Sequence, residues 1–121
     1  MSETFTFPWA KAPLSLNYRL HKMQEANIIK RIRSEMAVRG RSLPAMGKCE
    51  VLLTWVVNDR RRRDEENVVP VLKALCDGLV DAGVVPDDVP AFMVKLMPVI
   101  RYSPKAVEPA HFEFDVEEVT Q

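Results

Sequence analysis

The chain has 121 residues, its 17 lysines and arginines are balanced by 17 aspartates and glutamates, and 47% of its residues are hydrophobic. That is one domain's worth of chain, 1–121, with an ordinary globular composition and a core able to stand alone. No apolar run approaches the ~20 residues of a membrane span, and Met1-Ser2-Glu3-Thr4 lacks the basic and apolar regions of a signal peptide. Cys49 and Cys76 lie inside apolar patterns, so reduced core thiols and a cytoplasmic protein are expected.

In chain order, Thr4 to Trp9 reads as a short strand, with Phe5 and Phe7 on one face and Pro8 ending the pairing. Lys11 to Leu16 is a loop, after which Ser15 or Asn17 is placed to cap a helix. That helix is expected from about Leu20 to Val38, with Ile28, Ile29, Ile32 and Met36 as its buried stripe and Gly40 closing it. Lys22, Lys30, Arg31 and Arg33 decorate its remaining surface; a solvated face is the default for them, and a DNA-facing flank is the sharper alternative. His21 reads as a capping or surface residue. After a loop over Arg41 to Lys48, Glu50 to Val57 is a nearly unbroken apolar run, as expected of a central strand covered on both faces.

The stretch from Arg60 to Asp88 organises the rest. It opens with Arg60, Arg61, Arg62 and Arg63, passes into Asp64, Glu65, Glu66 and Asn67, and closes on Asp87-Asp88. Between them Val68, Val71, Leu72, Leu75, Cys76 and Leu79 make one apolar stripe of a helix, with Asn67, Pro70, Lys73, Asp77 and Asp81 opposite. Pro70 fits a first turn, so the helix is expected to start near Asn67, with Asp64 or Asn67 as N-cap and Gly83 as the stop. The linker Val84-Val85-Pro86 then returns Asp87 and Asp88 to the fold. The bland reading is a capped surface helix with solvated charges. Against it, seven acids fall between Asp64 and Asp88, and their mutual repulsion argues that some are gathered for a purpose. Residues 1–63 hold 13 cationic and 5 acidic residues, a net +8, whereas residues 64–121 hold 4 and 12, a net −8. The changeover falls at the motif itself, which suggests a basic half for a polyanion and an acidic half for a metal, unless the fold interleaves the two.

Phe92 to Arg101 reads as a strand in which Pro98 marks an edge or a bulge. If it neighbours the strand 50–57, both acid clusters can meet at one end of the sheet. After a loop from Ser103 to Pro109, the last strand alternates, with Phe112, Phe114 and Val116 inward and His111, Glu113, Asp115 and Glu117 outward. The order β-α-β-α-β-β gives an α+β (mixed α/β) class, two helices on a mixed sheet of about four strands.

The central motif resembles that of the RusA-like Holliday junction resolvases: basic residues, D-x-D-N, a helix with a lysine and an aspartate four apart, then A-G and a terminal D-D. Here these are Arg60 to Arg63, Asp64, Glu66, Asn67, Lys73, Asp77, Ala82-Gly83 and Asp87-Asp88. Glu66 stands where the pattern has aspartate, and three extra residues, roughly Val68 to Pro70, precede the lysine. That length is close to one turn of ~3.6 residues and so nearly keeps the face Lys73 presents. Weaker matches extend outward to Phe7-Pro8-Trp9, Ser15-x-Asn17, His21 and Met97-Pro98.

The resemblance implies a junction endonuclease of DNA recombination and repair, frequently phage-borne, working as a homodimer on four-way DNA. It puts the metal-binding acids on Asp64, Glu66 and Asp88 and the phosphate-contacting lysine on Lys73. Asp87 is an additional ligand or a group behind one. The chemistry agrees: phosphodiester hydrolysis needs an activated water and charge relief, which Mg2+, or Mn2+ in its place, supplies through carboxylate oxygens. Arg60 to Arg63 would grip flanking phosphates without reading bases. Asn67 either contacts DNA or only caps the helix, and Asp77 either acts or only pairs with Lys73. No Gly-rich phosphate loop or nucleophile elbow competes, and no small-molecule cofactor is expected. The rivals are an inactive junction- or branched-DNA-binding protein and a partner-binding protein whose acids merely solvate a surface.

Overall fold

A computed structural model describes residues 1–120. Its elements are β1 (Ser2–Phe7), α1 (Lys22–Arg39), β2 (Cys49–Val57), α2 (Val69–Asp81), β3 (Met93–Lys95), β4 (Val99–Tyr102) and β5 (His111–Glu118). Two helices pack on a mixed five-stranded sheet in an α+β arrangement. The β-branched run of residues 49–57 takes the central place. β5 pairs antiparallel along it from Cys49↔Glu118 to Val56↔His111, and β1 pairs antiparallel with β5.

On its other side β2 meets two short parallel strands, β3 opposite Cys49–Val51 and β4 opposite Thr54–Val57. The single strand expected over 92–101 is therefore two, and the sheet has five strands rather than about four. The last bond before the gap is Leu96 N–H to the Val51 carbonyl, 3.1 Å. Pro98 then offers no N–H and a fixed φ, so the ladder breaks where the sequence marked an edge or a bulge.

Both helices cover one face. Phe5, Phe7, Phe112, Phe114, Val51, Leu53 and Met93 on the sheet form one core with Ile32 and Met36 of α1 and the α2 stripe. Each wholly buried phenylalanine contributes about 1.5–3 kcal/mol. On the opposite face Glu50 and Leu52 stand half-exposed, while Thr54 and Val56 are buried. Cover on both faces thus holds only toward the C-terminal end of β2. His111, expected outward, is also buried, because the 103–110 loop folds back onto the end of β5.

The helices cross where Gly78 leaves room. A Cβ there would stand 2.6 Å from the Met36 Cβ and 2.7 Å from the Arg33 carbonyl. Beside this crossing Arg33 makes a two-point ion pair with Asp81, its Nη2 donating over 2.9 Å. α1 begins later than expected: the Nδ1 of His21 accepts from the Met23 N–H at 3.2 Å. Neither Ser15 nor Asn17 caps it; the Ser15 hydroxyl instead accepts from the Asn17 N–H. α2 ends in paired reverse bonds, Gly83 N–H to Val80 and Val84 N–H to Leu79. They need the left-handed φ of +81° at Gly83. Cys49 and Cys76 are free and buried, and burial pushes their thiols up to about 11 and about 12. Among the described residues, no helix is long and apolar enough to cross a membrane.

Candidate functional site

The arginine run leaves the C-terminal end of β2 and is tied back to it. Asp59 accepts from the Arg61 N–H at 3.0 Å and pairs with the Arg63 guanidinium at 2.8 Å. Those bonds, Arg63 first, hold its carboxyl well below the usual carboxylate range. Arg63 also lies over the Trp55 ring at 5.2 Å, and Arg60 lies over Tyr102 at 4.2 Å. Arg61 is 80% exposed and only loosely paired with Asp59 at 3.4 Å. Arg62 is exposed, and no ion pair within 4.0 Å involves it among the described residues. The four arginines therefore divide: Arg63 is packed inward, whereas Arg61 and Arg62 are turned to solvent.

Asp64 follows as an N-cap, its Oδ1 accepting from the Glu66 N–H at 3.1 Å. It caps a 3-10 turn over Glu65–Val68 that leads into α2, so α2 proper begins at Val69, two residues later than Asn67, with Pro70 in its first turn. The apolar stripe is buried as expected. Asn67 anchors the preceding loop, its carbonyl accepting from the Leu16 N–H at 3.0 Å. A cavity of about 630 Å³ opens here, lined among others by Ser15, Asn17, Tyr18, Arg62, Asp64 and Asn67. Residues some fifty positions apart, all singled out in the sequence apart from Tyr18, share its walls.

Asp88 is handled differently. Because β2 and β3 run parallel, Asp64 leaves the end of β2 while Asp87-Asp88 precede a strand that starts beside Cys49. The two acid clusters do not meet at one end of the sheet. Instead the loop after α2 brings Asp88 against Lys73, about 6 Å of helix rise beyond Val69. Asp88 Oδ2 accepts from Lys73 Nζ at 2.7 Å and from Lys95 Nζ at 2.9 Å, while Lys73 also bonds Asp77 at 3.0 Å. These ammonium groups, Lys73 first, hold the Asp88 carboxyl well below the usual range, and Asp88 in turn raises Lys73. Asp87 accepts from the Asp88 N–H at 2.7 Å and so shapes the loop.

The carboxylates of Asp64, Glu66 and Asp88 do not form a group within 4.8 Å of one another. Asp64 and Glu66 are exposed and suit an ion that keeps several waters and takes one or two carboxylates. Asp88, with both lysines on one oxygen, does not complete a cage in this arrangement. Among the described residues the group that could hold a metal ion is Glu108, His111 and Glu113. It was missed because its only sequence signal is the spacing E-x-x-H-x-E, across a loop and strand positions expected to face outward. Lys95 was missed as well; its signal is a lysine on the same strand face as buried Met93.

No family model matches the chain. It is similar to an "Uncharacterized protein" of Xylella fastidiosa (strain Temecula1 / ATCC 700964), 28% identical over 87 residues, which cover 66% of this chain and 57% of that protein. The chain thus spans little more than half the length of the relative it matches.

Proposed function

We propose that this chain is a Mg2+-dependent, structure-selective endonuclease that resolves four-way DNA junctions by paired phosphodiester hydrolysis, acting as a twofold homodimer. The observation that carries the reading is the cavity in which Ser15 and Asn17 face Arg62, Asp64 and Asn67. A cation beside carboxylates in an open recess of mixed polar and apolar lining suits a phosphate backbone met together with a divalent ion. Arg61 and Arg62 attract the backbone, and Lys73 keeps an ammonium beside Asp88 to offset charge on a scissile phosphate. Asp64, in the cavity wall, and Glu66, two residues on but outside the lining, would hold the ion, which when bound lowers the pKa of an attacking water and clamps phosphate oxygens. Exposed apolar side chains at Leu96, Met97 and Val99 supply material for a subunit interface.

A second reading, a junction-binding protein that does not cut, is favoured by the two lysines on Asp88 and by the separation of the three acids. One experiment divides them. Purified protein is incubated with a synthetic four-way junction in Mg2+ or EDTA, beside Asp64→Asn and Asp88→Asn. The nuclease cuts in Mg2+ only, and each variant loses at least about a hundredfold in rate while retaining junction binding. Binding without cleavage in any condition selects the second reading. Neither binding nor cleavage sinks both.

A further inference from the structure

The Glu108, His111 and Glu113 cluster lies outside the proposed nuclease site and answers to a different chemistry. His111 is 8% exposed, at the start of β5, where the 103–110 loop returns. Its Nδ1 lies 2.7 Å from the Pro109 carbonyl, an acceptor, so that nitrogen carries a proton. Its Nε2 faces Glu113 Oε2 at 2.7 Å and Glu108 Oε1 at 3.8 Å, again acceptors. Nε2 thus faces two carboxylates, and the arrangement is satisfied in either of two ways: by a second proton on Nε2, donated to Glu113, or by a metal cation that takes the Nε2 lone pair and both carboxylates. An imidazole fixed through its other nitrogen to a carbonyl is the usual setting of a metal-ligating histidine. Two ligand atoms on a tetrahedral zinc ion, each about 2.0–2.1 Å from it, stand about 3.3 Å apart; to accept the ion, Nε2 and Glu113 would open from 2.7 Å and Nε2 and Glu108 would close from 3.8 Å.

We infer that Glu108, His111 and Glu113 form a structural site for a first-row transition-metal dication of the Zn2+ type. Imidazole nitrogen with two carboxylates favours such an ion over Mg2+, whose preference is for oxygen alone. Ser103, buried, donates to Glu108 Oε2 at 2.7 Å and steadies that carboxylate from behind. Arg101 is the internal competitor, reaching Glu108 at 3.1 Å and Glu113 at 3.4 Å from a side chain 44% exposed, free to swing outward. The ion would fasten the loop that Asn58 already grips. Asn58 donates to the carbonyls of Ser103 and Glu108 at 2.9 and 3.0 Å and accepts from the Ala110 N–H at 2.9 Å. Since Asn58 directly follows β2, the site would brace the root of the arginine run.

The test uses the full chain, stripped with EDTA and dialysed, and titrated with Co2+ while its visible d–d absorption is followed. The expected result is saturation at one ion per chain, reversed by Zn2+ and not by equal Mg2+. His111→Gln and Glu113→Gln each weaken it at least about tenfold, and Arg101→Gln tightens it. Failure of the wild-type protein to saturate overturns the inference, as does wild-type affinity in both ligand variants. Should those variants not fold by circular dichroism, exposed Arg101→Gln decides alone: tightening supports the site, and unchanged or weaker binding overturns it.

Discussion

The two ends of the acidic motif carry carboxylates of unequal standing. Asp88 has its counter-charge inside the protein: two ammonium groups within 3 Å, on a side chain only 15% exposed. At the other end, no lysine or arginine pairs with Asp64, Glu65 or Glu66 within 4.0 Å among the described residues, and Asp64 is engaged only as a cap. Clustered acids in a sequence are therefore not equivalent. One end is neutralised by folding, and the other is left exposed to solvent.

Removing the internal counter-charge tests the contrast most strongly. Lys73→Met with Lys95→Met leaves Asp88 without a cation, which in a fully buried pair costs about 3–5 kcal/mol. Solvent still reaching the site reduces that to about 1–2 kcal/mol, read as a lower urea midpoint. Adding Asp88→Asn should recover most of it, and a double variant as stable as the wild type would erase the contrast.

The pH dependence sharpens it. Lys73 and then Lys95 hold the folded Asp88 carboxyl below its unfolded value, which is about 3.9. Its contribution is complete above that value and is lost as pH falls through it toward the folded pKa. Thermal unfolding of Asp88→Asn should therefore trail the wild type at neutral pH, with the gap closing below about pH 4. Parallel curves down to the acid limit would assign the acid sensitivity elsewhere.

The smallest effect separates two neighbouring arginines, and it depends on the nucleic-acid reading. Arg62→Ala should lower the slope of log junction affinity against log salt by about 1 without changing Tm. Arg63→Ala should instead lower Tm, since it loses Trp55 and Asp59, a contact of about 1 kcal/mol. Equal behaviour of the two would mean that packing does not divide the run.

Local pattern was enough for the helices, the central strand and the last strand, because a spacing of 3.6 or 2 residues reports burial directly. The α2 stripe from Val68 to Leu79 and the stop at Gly83 are examples. Strand direction is not written within residues 50–57 or 92–101 but in what joins them. A helix between two neighbouring strands favours parallel pairing, which the expectation of both acid clusters at one end of the sheet left out. Charge pairing was harder still. Lys95 reaches Asp88 because β3 lies beside β2, and His111 is buried because Asn58, more than fifty positions earlier, holds the loop above it. Such contacts belong to tertiary structure, and only the E-x-x-H-x-E spacing hinted at one of them.

The interruption at Leu96 to Pro98 leaves the sheet with unequal borders. On one side β3 and β4, of three and four residues, present no continuous row of free donors and acceptors. On the other, β1 runs unbroken for six residues before Pro8. Short or broken edges discourage the docking of another chain by strand addition. Extension of the sheet by a peptide or a neighbouring molecule is therefore directed to β1, whereas an assembly formed on the β3–β4 side must be made by side chains, face to face.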